Sequence, residues 1–317
     1  EITKAYRRKA WVLSIEGGCM KYQEFLESKS KTGDQFGFAP VFVPDFLKDF
    51  QKYLLDWELR KGRGGLYADC GLGKGPMQLV WAENIVRKTN KPVLIAAPLG
   101  VAPQFMTEGE KFGIPCRRTR NGKVHKGINI TNYERLHYYS PNDFEGFSGD
   151  EGSIIKNFDG KRRRQITNFM AKVNYRMLAT ATPSPNDWME LGCSAEALGI
   201  MGRNQMLGMF FTNGGESTQH WTLKGHARER FWQWVCSWAR AIRRPSDLGF
   251  SNEGYELPDL KVVQHVVQGP PPKFEFFRDA VTLASQRIER RATLVQRCEK
   301  VAELLPKNDF GLVWCHL

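Results

Sequence analysis

The segment Ala68 to Gly75 reads ADCGLGKG, two loop glycines and a lysine set where an apolar run gives way to a helical one. A strand that feeds such a loop into a helix converges backbone N–H groups on an anion. Gly71 and Gly73 let the backbone around Leu72 approach closely, and Lys74 has the length to meet the β and γ phosphates of a nucleotide. The residue after that lysine usually offers a hydroxyl to Mg²⁺, but here it is Gly75. Glycine at a helix start costs roughly 0.5–1 kcal/mol against a better helix former. With no structural merit evident for it, a Gly75→Thr change is expected to strengthen the Mg²⁺-dependent part of ATP affinity.

Further along, Asp150 and Glu151 stand side by side in GDEGSIIKN. An Asp-Glu pair after a strand suits phosphoryl transfer: the Asp holds Mg²⁺, often through water, and the Glu orients and deprotonates the attacking water. The bland reading is an acidic surface turn. The preceding stretch, Phe144 to Gly149, is also a poor strand on paper, with two glycines and a serine.

These residues need elements to hold them. From Phe42 to Arg60 apolar positions follow helical spacing, stopped by Gly62 and the Gly64-Gly65 pair. Leu66 to Ala68, Val93 to Ala97, Ile128 to Ile130 and Met177 to Ala181 read as strands. Pro76 to Lys88 and Gln104 to Phe112 read as helices between them. Such alternation predicts an α/β fold with a parallel sheet covered on both faces. After Gly192 the texture turns helical, and a stripe from Phe231 through Trp238 to Ile242 predicts one amphipathic helix with arginines opposite. Past Pro258, Val262 to Val267 reads as a strand, Phe276 to Leu305 as a long helix, and Leu312 to Leu317 as a strand.

Lys and Arg number 46 against 34 Asp and Glu, so a polyanion is the first partner to consider. Arg117, Arg118, Arg120, Lys123 and Lys126 form one basic run and Lys161 to Arg164 another. Each is either a sequence-independent phosphate contact or a solvated loop. The seven cysteines form no CxxC pair and the histidines no ligand spacing, which excludes a disulfide framework or zinc ribbon. With no membrane-length apolar run or signal segment, a reducing cytoplasm is the expected location, and the resemblance set out below implies that of a prokaryotic or phage-infected cell.

In order, these motifs resemble those of superfamily-two helicases, most closely the Swi/Snf-like ATPases of phage and prokaryotic type. FLKDFQ is similar to the glutamine motif, ADCGLGKG to motif I and AAPLG to motif Ia. ITNYERL is similar to the next nucleic-acid-contacting motif, DEGSIIKN to motif II, and ATATPSPNDWMELG to motif III. RRPSDLGF resembles the segment joining two lobes, and GLVWCHL the first strand of a second lobe.

The resemblance implies an ATP hydrolase of helicase or translocase type, with ATP and Mg²⁺ as cofactors and nucleic acid, most naturally duplex DNA, as partner. It implies that Gln51 reads adenine, that Gly71, Leu72, Gly73, Lys74 and Gly75 hold phosphates, and that Asp150 and Glu151 manage Mg²⁺ and water. Thr180 and Thr182 would couple the nucleotide to the nucleic-acid surface, and Pro98, Asn132 and Lys156 would meet the nucleic acid. The expected organisation is an N-terminal appendage (1–39), a RecA-like lobe (40–195), a helical insertion and linker (196–257) and the start of a second RecA-like lobe (258–317). The chain stops before the family's arginine-finger segment, a residue worth about 10³–10⁵ in turnover. ATP binding is therefore expected to exceed hydrolysis. Two other readings stand beside this one: a degenerate ATPase serving as a nucleic-acid scaffold, marked by Gly75, and the motor subunit of a restriction system.

Overall fold

Helix α1 (Asp49–Lys61) ends at Gly62, whose left-handed backbone (φ 71°) returns its N–H to Glu58 O at 2.8 Å. A Cβ on Gly62 would lie 2.7 Å from the backbone of Phe36 and Gly37, so this turn requires glycine. The helix starts later than Phe42 because Pro44 disfavours helical geometry in the residue before it. Gly64 and Gly65 do not end the helix but lie inside strand β1 (Arg63–Ala68). There a Cβ on Gly64 would meet the Glu58 carboxyl at 2.3 Å, and one on Gly65 the Tyr67 ring at 2.7 Å. The computed structural model describes residues 35–155, 160–213, 221–259, 261–267, 287 and 290–305.

From β1 the chain alternates: α2 (Lys74–Thr89), β2 (Val93–Ala97), α3 (Ala102–Phe112), β3 (Cys116–Arg118), β4 (Ile128–Asn132), β5 (Gly146–Asp150), α4 (Lys161–Met170) and β6 (Tyr175–Ala179). Helices α5 (Leu191–Leu198) and α6 (Arg203–Phe210), the hairpin strands β7 (Phe211–Asn213) and β8 (Trp221–Leu223), helix α7 (Arg228–Trp238) and strand β9 (Ala239–Ile242) follow. The main sheet has seven strands in the order β3-β4-β2-β5-β6-β1-β9, every neighbouring pair parallel. Its central strands are apolar throughout because both faces are covered. Val93, Ile95 and Ala97 join the core beneath α1 to α3, while Leu94 and Ala96 join the core with Phe147, Phe169 and Trp238.

Two elements depart from the sequence reading. The stretch with two glycines is the central strand β5, buried at every residue. Its glycines make room for neighbours: a Cβ on Gly146 would meet Ile85 Cδ1 at 3.0 Å, and one on Gly149 both Leu178 Cδ2 and the Tyr133 hydroxyl at 3.0 Å. The stripe expected to be one helix to Ile242 breaks at Trp238, and the next four residues form β9 beside β1. Ala239 to Ile242 thus completes the sheet from beyond residue 195.

The chain divides into two compact units, 1–256 and 257–317. In the second, residues 261–267 carry no strand. Val262, Val263 and Val266 are 82%, 70% and 82% exposed, and no strand among the described residues pairs with this run. The long helix is described as helical at Arg287, Arg290 and Arg291 to Ala292, and in α8 (Leu294–Leu304). The expected terminal strand and Pro-rich turn lie outside the described residues, as does most of the N-terminal appendage. No described helix is long and apolar enough to cross a membrane.

Candidate nucleotide-binding site

The residues singled out for chemistry gather at one edge of the sheet, where parallel strands end and the following loops begin. β1 leads into the loop 69–73, β2 into Pro98, β5 into Glu151 and β6 into Thr180. Gly71 (φ 81°) and Gly73 (φ 79°) both take left-handed backbone, which turns the loop into the N-terminus of α2. The amides of Lys74 and Gly75 open that helix and have no partner within it. The Lys74 ammonium lies inside the loop, donating to Ala68 O at 2.8 Å and Asp69 O at 3.2 Å. Leu72 contributes only backbone here, since its side chain is core. Asp69 N donates to Ile242 O at 3.0 Å, so β9 anchors the loop's first residue.

Gln51 reaches this loop from the first turn of α1. Its Nε2 donates to Leu72 O at 2.9 Å, and its Oε1 accepts from Lys48 N at 2.9 Å. The side chain is buried, and a Cβ on Gly73 would lie 2.4 Å from Nε2. Gln51 therefore braces the loop 69–73 against α1.

Asp150, at the end of β5, is joined to α2 by a residue that motif reading missed. Gln78, one turn into that helix and fully buried, donates from Nε2 to Asp150 Oδ1 at 2.8 Å and accepts at Oε1 from Ser148 Oγ at 2.7 Å. Its signal in the sequence was a glutamine amid the apolar face Met77, Leu79, Val80. Burial pushes the Asp150 carboxyl up to about 6; the Gln78 hydrogen bond works against this, and the charges of Glu151 and Glu108 add to it. The Tyr133 hydroxyl holds the strand end by donating to Asp150 O at 2.5 Å. Glu151 takes a left-handed backbone (φ 50°), uncommon outside glycine, which turns the chain sharply after the strand. Thr180 Oγ1 donates to Glu151 Oε2 at 3.2 Å and accepts from Thr182 N at 3.1 Å. The Thr182 side chain itself is exposed.

Gly75 has a structural reason that the sequence did not show. A Cβ there would fall 2.0 Å from Glu108 Oε2 and 3.1 Å from Oε1, so a carboxylate from α3 fills the space of a side chain at this position. Gln104, a turn earlier on α3, donates to Glu108 Oε1 at 2.8 Å. The expectation that Gly75 lacks structural merit is thereby corrected. Asp150, Glu151 and Glu108 are oxygen donors of the kind Mg²⁺ takes. Among the described residues no three His, Cys, Asp or Glu side chains form a metal cage.

The nucleic-acid candidates are more scattered. Pro98 is half-buried beside exposed Leu99. Asn132 ends β4 but is buried, its Oδ1 without a hydrogen-bond partner. Lys156 lies outside the described residues. In the second basic run Arg162 pairs with Glu134 at 3.0 Å and Arg163 with Glu196 at 2.6 Å. In the first, Arg117 and Arg118 lie on the edge strand β3, with Arg120, Lys123 and Lys126 in the loop after it.

No family model and no curated protein matches the sequence. Solved structures do. The Sulfolobus solfataricus SWI2/SNF2 ATPase core in complex with dsDNA aligns with a TM-score of 0.53 at 18% identity, over 65% of this chain and 46% of that one. The UvsW helicase from bacteriophage T4 aligns at 0.42 and 12% identity, over 63% and 73% of the two chains. The Pyrococcus furiosus Hef helicase domain aligns at 0.39 and 15%, over 47% and 36%. This chain spans less than half the length of the SWI2/SNF2 core that it matches. The parallel sheet, the loop that opens α2 and the likeness to that core together give an α/β, RecA-like lobe.

Proposed function

We propose that this chain is the ATP-binding part of a superfamily-two motor that hydrolyses ATP and works on duplex DNA. The observation that carries the reading is the Gln78–Asp150 hydrogen bond, which fastens the helix of the phosphate loop to the acidic pair. Phosphate-binding and water-activating groups thereby form one site. In this reading the loop amides around Gly71 to Gly75 and Lys74 would bind the phosphates, and Asp150 would help hold Mg²⁺. Bound Mg²⁺ would neutralise charge on the β and γ phosphate oxygens. Glu151, held by Thr180, would orient a water and take its proton as the water oxygen bonds the γ phosphorus and the bond from that phosphorus to ADP breaks. Thr180 and Thr182 then relay the state of Glu151 towards the loop 181–190.

The nucleic-acid part of the proposal is supported by the duplex bound to the SWI2/SNF2 core and by the net positive charge. Residues 117–126 are the better footprint, because two arginines of the 161–164 run already have carboxylate partners. Residues 258–317 belong, in this reading, to the start of a second lobe, and the protein works in the cytoplasm. An ATP-binding scaffold without turnover is the second reading, and Gly75 is the observation in its favour.

Calorimetry tests the core of the proposal. Lys74→Ala is expected to abolish ATP binding in a folded protein, and unchanged affinity would remove the site assignment. Duplex DNA should bind without sequence preference and weaken steeply with salt. Phosphate release that Glu151→Gln does not reduce would favour the scaffold.

A further inference from the structure

We infer that Glu108 supplies the oxygen that Gly75 lacks, its carboxylate joining Asp150 at the Mg²⁺ of a bound nucleotide. The inference rests on the nucleotide-site reading above and assigns a residue outside every motif of that reading.

Three observations carry it. First, Glu108 Oε2 lies 2.0 Å from where a Cβ of residue 75 would stand, so an oxygen already occupies the space in which a hydroxyl side chain would place one. Second, the carboxylate is held there: Glu108 is half-buried on α3, and Gln104 Nε2 donates to its Oε1 at 2.8 Å, leaving Oε2 on the Gly75 side. Third, Glu108 is close enough for its charge to act on Asp150, the acid across the same helix start. A carboxylate and a hydroxyl are both hard oxygen donors that suit Mg²⁺. They differ in charge. A neutral hydroxyl tolerates a nucleotide without metal, whereas an anionic Glu108 repels bare phosphates and attracts them once Mg²⁺ is present. The exchange should therefore make nucleotide binding depend more steeply on Mg²⁺. Glycine at 75 is the small residue that lets the carboxylate in.

The test is equilibrium binding of ATP to the full chain, in a Glu151→Gln background that suppresses turnover, with saturating Mg²⁺ and with Mg²⁺ chelated. Glu108→Gln keeps the shape and the contact with Gln104 but removes the charge. It is expected to weaken binding with Mg²⁺ about tenfold and to strengthen binding without it. Gly75→Thr alone clashes with Glu108 and should also lose Mg²⁺ dependence, while Gly75→Thr combined with Glu108→Ala should restore it. The electron paramagnetic resonance spectrum of Mn²⁺ bound with ATP should change in Glu108→Gln. If Glu108→Gln alters affinity equally with and without Mg²⁺, or not at all, while Lys74→Ala still abolishes binding, the role of Glu108 is overturned and the nucleotide site stands. If Lys74→Ala binds ATP normally, the site reading itself fails.

Discussion

Gln51 and Leu72 are joined across the base of the loop 69–73, the Gln51 amide donating to the Leu72 carbonyl at 2.9 Å while its own oxygen caps α1. A glutamine committed in this way positions the loop whichever base the nucleotide carries. Gln51→Ala is therefore expected to weaken ATP and GTP alike, by about tenfold, the loss of one to two hydrogen bonds of ordinary strength. Fluorescence titration with both nucleotides checks this, and a loss confined to ATP would return Gln51 to adenine reading.

Gln78 donates to the Asp150 side chain at 2.8 Å and accepts from Ser148 at 2.7 Å. Gln78→Leu keeps the volume but leaves a buried carboxyl and a buried hydroxyl unpaired. Urea unfolding should show a loss of about 1–3 kcal/mol. It should also raise the Asp150 pKa further, since the lost bond opposes the effect of burial. Unfolding that matches wild type would show that Asp150 has found another partner.

Glu58 gives the fold a pH dependence remote from the nucleotide loop. Both of its carboxyl oxygens are buried without a hydrogen-bond partner, beside Gly64. Burial raises its pKa from 4.5 to about 8, against the opposing charges of Arg240 and Lys61. The folded protein thus holds a proton that the unfolded chain releases near 4.5. This stabilisation is full below that pH and is lost as pH rises through about 8. The slope approaches about 1.4 kcal/mol per pH unit within the window. Glu58→Gln should flatten the profile, as measured by urea unfolding between about pH 5 and about pH 8. An unchanged slope would assign the titration to another group.

Gly149 stands where a larger residue would press on both Leu178 and the Tyr133 hydroxyl. Gly149→Val, a favourable change by strand propensity alone, is expected to destabilise the protein by about 1–3 kcal/mol through overpacking. Calorimetric melting would show it, and a gain in stability would mean that the layer can relax.

The same residue shows where sequence reading succeeds and where it stops. The alternation of strands and helices, the glycine loop between β1 and α2 and the Asp150-Glu151 turn were legible because they are local: apolar runs, loop glycines and charge at short spacing. Gly146 and Gly149 misled because their use depends on Ile85, Leu178 and Tyr133, which reach β5 from other elements. Gln78 looked like any helix glutamine until β5 supplied Ser148 and Asp150 as partners. Glu108 carried no signal at all, since its meaning comes from the packing of α3 against the start of α2. The stripe from Phe231 to Ile242 kept helical spacing past the point where the helix ends. Only the open edge of β1 decides that Ala239 to Ile242 extend as a strand.

That edge has a consequence for how the protein is made. β1 and its loop leave the ribosome early, yet Asp69 N waits for Ile242 O, and Gly65 to Ala68 wait for Ala239 to Ile242. Until some 170 further residues have been synthesised, β1 has an unpaired edge of the kind that invites wrong partners. The loop 69–73 cannot reach its final form before then. A chain cut after residue 195 would carry Lys74, Asp150, Glu151 and Thr180 and still present an open sheet beside the loop.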